Sequence, residues 1–345
     1  MNIRKILAVA FVFVIAVGSV FAGGSQDDGD GEGQTSEPIL IGVAGPHSGD
    51  LSPYGLPTIN AAELVVEQIN AAGGVLGRPI ELVIEDDQCA PEVAANTAAK
   101  LVSDGVAAVI GHICSGATGT ALAVYSETDI LAISPSATNP DLAEYENFFH
   151  TIAPDDAQAR LQVDFVVEEL GLTQIALLHD RGDYGKGLSD YAQAYLNEVD
   201  EADVVLYDGV TVGAVDYSAI INRVQAEGAE VVIWGGYHPE ASKLVEQMRS
   251  QGMDDVVFVG GDGIKGNAIV DLIGETSEGV YATGARETGD NPLAAEYTEL
   301  HIDEYGSEPG DFFMEAVSAA LALFNAIEVA GSTDYDAVIE ALRNS

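Results

Sequence analysis

The sequence predicts an α/β fold of two Rossmann-like halves, each a parallel sheet flanked by helices. Three observations carry this. Short apolar runs alternate with helix-length amphipathic stretches along most of the chain, the pattern of β-α-β units. The alternation falls into two series that divide after His150–Ile152. The 345 residues are 47% hydrophobic, and 38 of them are glycines spread along the chain. That is length and apolar content enough for two cores, with glycine for many tight strand-to-helix turns.

The first 22 residues stand apart. Arg4 and Lys5 precede an apolar run from Ile6 to Val17, and Val20-Phe21-Ala22 has the small-x-small form of a signal-peptidase site. This predicts a secretory signal peptide, its apolar run too short for a membrane span, cleaved near Ala22. Export places the protein in the periplasm or outside the cell. Residues 23–37, with Asp27, Asp28, Asp30 and Glu32 among Gly, Ser and Gln, read as a disordered acidic leader.

The first series then begins. Ile39–Ala44 is a strand; Thr58–Ala72 is a helix stopped by Gly73-Gly74. Ile80–Glu85 is a strand, Pro91–Asp104 a helix stopped by Gly105, Val106–Gly111 a buried-type strand. Ser115–Thr128 is a helix and Ile130–Ser134 a strand. In the second series Asp155–Leu170, Tyr184–Glu198, Tyr217–Glu227 and Pro239–Gln251 are helices. Between and after them Gln174–His179, Val204–Gly209, Val231–Gly235, Val256–Gly260 and Gly279–Thr283 are strands. Helices Pro292–Tyr305, Asp311–Ala330 and Tyr335–Leu342 close the chain.

Charge narrows the function. Thirteen basic residues face 56 acidic ones, a formal net charge of −43. Such a surface repels nucleic acid and anionic lipid, so neither is an expected partner. It reads as a solvated acidic shell suited to a salty or alkaline medium, where screening weakens self-repulsion. Two cysteines, Cys89 and Cys114, remain in the exported chain. An even count in an oxidising compartment reads as a disulfide, here closing a loop of about 25 residues and contributing roughly 3 kcal/mol. A free thiol is the weaker reading, and two cysteines with no nearby Cys/His set build no zinc site.

Open parallel sheets bind ligands beyond the carboxyl ends of their strands. The loops there are rich in Ser, Thr, Tyr and Gly and poor in Lys and Arg. Ser115 opens a helix, where its hydroxyl and the first amides can hold a carboxylate, although a plain N-cap serine explains it as well. Thr138, in the run from Ser134 to Pro140, offers a hydroxyl on a two-proline loop, or only turn chemistry. Asp262, among glycines at a strand end, can accept an ammonium group or be a solvated turn residue. Tyr54, Tyr184 and Tyr237 fall in candidate loops as an apolar wall with polar tips. Phe312 and Phe313 begin a helix, a pattern commoner in cores. Catalytic and metal motifs are missing: no G-x-S-x-G, no P-loop, no G-x-G-x-x-G after the first strand, and six histidines that form no compact metal set. No catalytic residue, metal or cofactor is expected.

Several stretches resemble the periplasmic leucine/isoleucine/valine-binding proteins, the solute receptors of branched-chain amino-acid ABC transporters. They are IGVAGPHSGDLSPYG from Ile41, INAAGGVLGRPIELVIEDDQC from Ile69, VIGHICSGAT from Val109, ISPSATNPDL from Ile133, LLHDRGDYGKG from Leu177 and GGYHPEAS from Gly235. The likeness runs from about Ile39 to near the end. It implies a type I receptor: residues 38–152 with 286–345 as the N-terminal lobe, 153–285 as the C-terminal lobe, hinged to close on a ligand. It also implies a disulfide between Cys89 and Cys114. Ser115 and the loop Ser136, Ala137 and Thr138 would hold the ligand's α-carboxylate and part of its ammonium. Tyr237 would lie in the facing lobe, an acid after the next strand (Asp262) would pair with the ammonium, and Tyr54, Tyr184 and Phe313 would wall the side-chain pocket. The implied function is non-enzymatic capture, as a monomer, of an aliphatic, branched-chain amino acid for a membrane permease. The alternative on the same fold is a ligand-sensing or amide-type receptor. Two departures stand out: Asp262 replaces the family's usual Glu, and the chain stops at Ser345, so the last hinge crossing and the final strands of the C-terminal lobe are expected to be absent.

Overall fold

The computed structural model describes residues 37–286 and 291–344. The expected signal peptide and nearly all of the acidic leader fall on residues 1–36 and lie outside the described residues.

The first lobe is built from β1 (Ile39–Gly45), α1 (Ser52–Ala71), β2 (Ile80–Asp86), α2 (Pro91–Asp104), β3 (Ala108–Ile110), α3 (Ser115–Ser126), β4 (Leu131–Ser134) and β5 (Phe148–His150). Its strands form one parallel sheet in the order β2-β1-β3-β4-β5. The second lobe follows with α4 (Asp155–Asp164), β6 (Gln174–His179), α5 (Asp183–Leu196), β7 (Asp203–Gly209), α6 (Ser218–Ala226), β8 (Val231–Gly235), α7 (His238–Ser250), β9 (Val257–Gly260), α8 (Asn267–Ile273) and β10 (Val280–Ala282). These strands make a second parallel sheet, β10-β9-β8-β6-β7. The chain ends in α9 (Pro292–Tyr305), α10 (Phe313–Ala330) and α11 (Tyr335–Arg343).

Burial explains the lobes. One face of the first sheet (Ile39, Ile41, Val43, Ile110, Ile133) packs on α1 and on residues of α9, α10 and α11, including Tyr297, Leu323 and Leu342. The opposite face packs on α2 and α3 through Ala98, Leu101, Leu122 and Tyr125. The second sheet is likewise covered on both sides, by α6, α7 and α8 around Trp234 and Phe258, and by α4 and α5 around Ile175 and Ile233. Sheets buried on both faces need near-continuous apolar strands, which is why Ile-Ala-Leu-Leu and Val-Val-Ile-Trp read clearly as strands.

Four elements differ from the sequence reading. α1 begins at Ser52, six residues before the expected Thr58, and runs through Pro57. A proline loses one backbone donor, and the buried packing of this helix tolerates that loss. The expected helix Asp155–Leu170 stops being α-helical at Asp164 and continues as a π-helical turn, Phe165–Glu169. β5 and α8 were not anticipated: three and seven residues give too little periodicity to detect.

Cys89 and Cys114 form a disulfide with Cα atoms 5.5 Å apart, tying the loop after β2 to the loop after β3. The chain passes between lobes after β5 and again between β10 and α9. Thr151 on the first passage donates to the Glu315 carbonyl at 2.8 Å, pinning it to α10.

Candidate functional site

The carboxyl ends of both sheets face each other, and the loops there enclose a cavity of about 10 Å³, room for about one water. It is lined by Tyr54, Ile113, Ser115, Ser136, Tyr184, Tyr237, Asp262, Gly263 and Phe312. The first lobe supplies Tyr54 from the first turn of α1, Ser115 from α3 and Ser136 from the loop after β4; the second supplies Tyr184 from α5, Tyr237 from the loop after β8 and Asp262 from the loop after β9. The lobes are shut: Asn139 Nδ2 donates to the Asp183 carbonyl across the gap at 2.8 Å, and Tyr237 packs against the Cys89–Cys114 region of the opposite lobe.

One end of the cavity is made of neutral hydroxyls at a helix start. The N-cap of α3 is Cys114, with no side-chain cap bond, so Ser115 is the first residue inside the helix. The plain N-cap explanation of Ser115 therefore fails. Its hydroxyl is buried and accepts the Asn139 N–H at 3.3 Å. The amides of a first helical turn have no intrahelical acceptor and attract negative charge. The neighbouring loop is fixed by Ser134, whose Oγ accepts the Ala137 N–H at 2.8 Å and the Ser136 N–H at 3.2 Å. Thr138 is buried, and its hydroxyl, beside Asp155, makes no well-formed hydrogen bond.

The other end is acidic. Asp262 is buried; Oδ1 accepts from the Tyr184 hydroxyl at 2.7 Å and Oδ2 from Gln158 Nε2 at 3.0 Å. Burial raises its pKa to about 6, against those hydrogen bonds and the Gly263 amide, which pull it down. Gln158 Nε2 also reaches Asp155 Oδ1 at 3.3 Å, and Asp155 Oδ2 is buried with no partner. Burial, reinforced by the Asp262 charge, pushes the Asp155 carboxyl well above its ordinary range. Among the described residues no ion pair involves either acid. Two buried carboxylates bridged by one amide, without a cation, make a strong cation acceptor.

Aromatic rings close the space between the ends. Tyr54 and Tyr237 lie 6.0 Å apart, Tyr184 and Tyr237 5.1 Å, and Tyr54 and Phe312 5.7 Å. Two of the tyrosine hydroxyls are committed: Tyr184 Oη donates to Asp262, and Tyr54 Oη bonds the Gly263 carbonyl at 2.7 Å and His238 Nδ1 at 2.5 Å.

The structure thus gathers Tyr54, Ser115, Ser136, Tyr184, Tyr237 and Asp262 around one cavity, with Ala137 and Thr138 buried behind Ser136. Phe313 is the exception. It is buried in the first lobe's core, edge-on to His301 at 4.9 Å, and Phe312 takes the place at the wall. Phe312 adopts a left-handed conformation (φ 62°) immediately before α10, which sends the two adjacent rings in different directions. Sequence reasoning also missed Ile113, Asp155 and Gln158. Only Asp155 left a signal, an acid just after Pro154 at the break between the two series, and it reads equally as first-turn charge.

Residues 38–345 match the family model described as periplasmic binding protein. The chain is 37% identical over 307 residues (88% of this chain, 82% of the relative) to the Leu/Ile/Val-binding protein homolog 1 of Brucella abortus (strain 2308). It is 35% identical over 310 residues (89% and 83%) to the leucine-, isoleucine-, valine-, threonine-, and alanine-binding protein of Pseudomonas aeruginosa. Among solved structures it resembles the branched-chain amino acid transporter substrate binding protein LivJ from Streptococcus pneumoniae in complex with isoleucine (TM-score 0.80, 29% identity, 89% and 88% covered). It also resembles the leucine binding protein LivK from Thermotoga maritima (TM-score 0.82, 25% identity, 88% and 87% covered).

Proposed function

We propose what this protein captures from one premise: the chain belongs to the periplasmic binding protein family. In our reading it is an exported, monomeric, non-enzymatic receptor that closes its two lobes on an aliphatic, branched-chain amino acid and hands it to an ABC permease.

The observation that carries this reading is the polarity of a single enclosed cavity. A buried acid without a cation, Asp262, stands on one side, and the Ser115 and Ser136 hydroxyls at a helix start and its neighbouring loop stand on the other. A zwitterion matches both. Its ammonium satisfies Asp262 and the unpartnered Asp155 oxygen, and its carboxylate takes the first amides of α3 with the Ser115 and Thr138 hydroxyls. Phe312, Tyr54 and Tyr237 offer carbon surface, which favours an aliphatic side chain over a charged one. The cavity is enclosed between the two lobes, so an amino acid enters only when they part, and they then re-close over it. Closure is then a population shift, driven only by a ligand that prefers the closed state.

Calorimetry tests the reading. Leucine, isoleucine and valine should bind with Kd of about 1 μM or tighter, about −8 kcal/mol. N-acetyl-leucine keeps the side chain and the carboxylate but has no ammonium, and should not bind measurably. If it binds as well as leucine, the acid pair has no part in recognition and the reading fails.

A further inference from the structure

We propose that His238 is the latch that holds the two lobes together, setting how tightly the closed cleft keeps its ligand without touching that ligand. The inference rests on the reading of this cleft as one that captures by closure.

His238 is the first residue of α7 in the second lobe and is 4% exposed. It does not line the cavity. Its Nδ1 lies 2.5 Å from the hydroxyl of Tyr54, which belongs to α1 in the first lobe, and the two rings meet edge to face with centroids 5.2 Å apart. The same hydroxyl donates to the Gly263 carbonyl at 2.7 Å, again in the second lobe. A tyrosine has one proton to give. With that proton on Gly263, the Tyr54 oxygen acts as acceptor and His238 Nδ1–H is the donor. The ring's protonation pattern is thereby set by the opposite lobe. The two hydrogen bonds and the ring contact all cross the gap between lobes, so separation of the lobes would break them together.

An interaction that exists only in the closed state multiplies the affinity of every ligand that needs closure, by the same factor. That separates a latch from a ligand-contacting residue, which changes one ligand's affinity relative to another's. Removing a buried hydrogen-bond donor of this kind should weaken binding about tenfold. His238 is therefore a positioning residue, acting through Tyr54.

The test combines three variants with two readouts. In calorimetry, His238→Ala should weaken leucine, isoleucine and valine by a common factor of about ten, and His238→Asn, which keeps a donor at the Nδ1 position, should recover most of the loss. In a double-mutant cycle His238→Ala should cost little once Tyr54→Phe is in place, because its partner hydroxyl is already gone. Additive losses, or a loss that alters the ratios among the three amino acids, would overturn the latch. Small-angle scattering of the ligand-free proteins is the second readout. A more open average shape for His238→Ala than for wild type and His238→Asn supports the latch, and superimposable profiles together with unchanged affinities overturn it. A wild type that ignores all three amino acids would sink the proposed ligand, and scattering alone would then judge the latch.

Discussion

At the residue scale, Asp262 carries the most physical tension. A buried carboxylate with two side-chain donors and no counter-cation is held in the fold at some cost while the site is empty. The sign follows from proton binding. The folded-state pKa of about 6 stands above the ordinary 3.8, so between those values the folded chain holds more proton than the unfolded one. The ligand-free protein therefore loses stability as pH rises from about 4 to 6 on account of this group, and the loss is complete above that window. An arriving ammonium reverses the balance, because it needs the ionised carboxylate. The rise in melting temperature caused by leucine should thus be larger at about pH 7.5 than at about pH 5. Asp262→Asn removes the buried charge and keeps the shape. It should raise ligand-free stability at neutral pH by about 1–3 kcal/mol in urea titrations and abolish leucine binding. A variant less stable than wild type that still binds leucine would contradict this account. The sequence marked Asp262 because it stood among glycines at a strand end. It could not mark Asp155 or Gln158, since nothing local separates a buried polar residue from a solvated one; burial is a property of the approach of two lobes. Phe312 and Phe313 were ambiguous for a related reason: which of two adjacent rings faces the cavity depends on one left-handed backbone angle.

At the scale of elements, the site is a set of strand ends and helix starts, and its precision comes from how they are tied. α5 crosses β8 so closely that a Cβ on Gly185 would sit 2.3 Å from the Gly235 carbonyl oxygen, a contact only hydrogen allows. That approach sets where Tyr184, the neighbour of Gly185, meets Asp262. In the first lobe the disulfide does comparable work. It joins the loop after β2 to the residue preceding Ser115, beside a buried chain of hydrogen bonds from Asp87 through His112 to Tyr125. Replacing both cysteines by alanine should lower the unfolding free energy by about 3 kcal/mol in denaturant titrations. It should also weaken leucine binding, because the start of α3 is freed. Unchanged affinity with lowered stability would show that the bridge holds the lobe and not the site. Both β-α series were legible because strands buried on two faces are written as unbroken apolar runs, and glycine stops mark most helix ends. The start of α1 was hidden by Pro57, and with it the reason Tyr54 reaches the gap.

At the scale of the whole molecule, the charge is the property that no single site explains. A net −43 over 345 residues leaves most carboxylates without a partner, and the ion pairs among the described residues are chiefly surface ones such as Lys100 with Glu85 and Asp104, Arg160 with Asp164, and Lys186 with Asp190. Such pairs contribute little individually. Repulsion among the rest acts against both the fold and the closed form, since shutting two acidic lobes brings like charges together. Salt shortens the reach of that repulsion, from about 10 Å at 0.1 M to about 3 Å at 1 M. Melting temperature at neutral pH should therefore climb as sodium chloride is raised across that range. Sodium chloride also acts on proteins in ways unrelated to charge, so the rise alone decides nothing. The same series near pH 4, where about half the exposed carboxylates are protonated, separates the effects. If screening is the cause, the slope should shrink markedly there. An equal slope at both pH values would mean that the acidic shell places no electrostatic load on the fold, and its fitness for a salty medium would lose its physical basis.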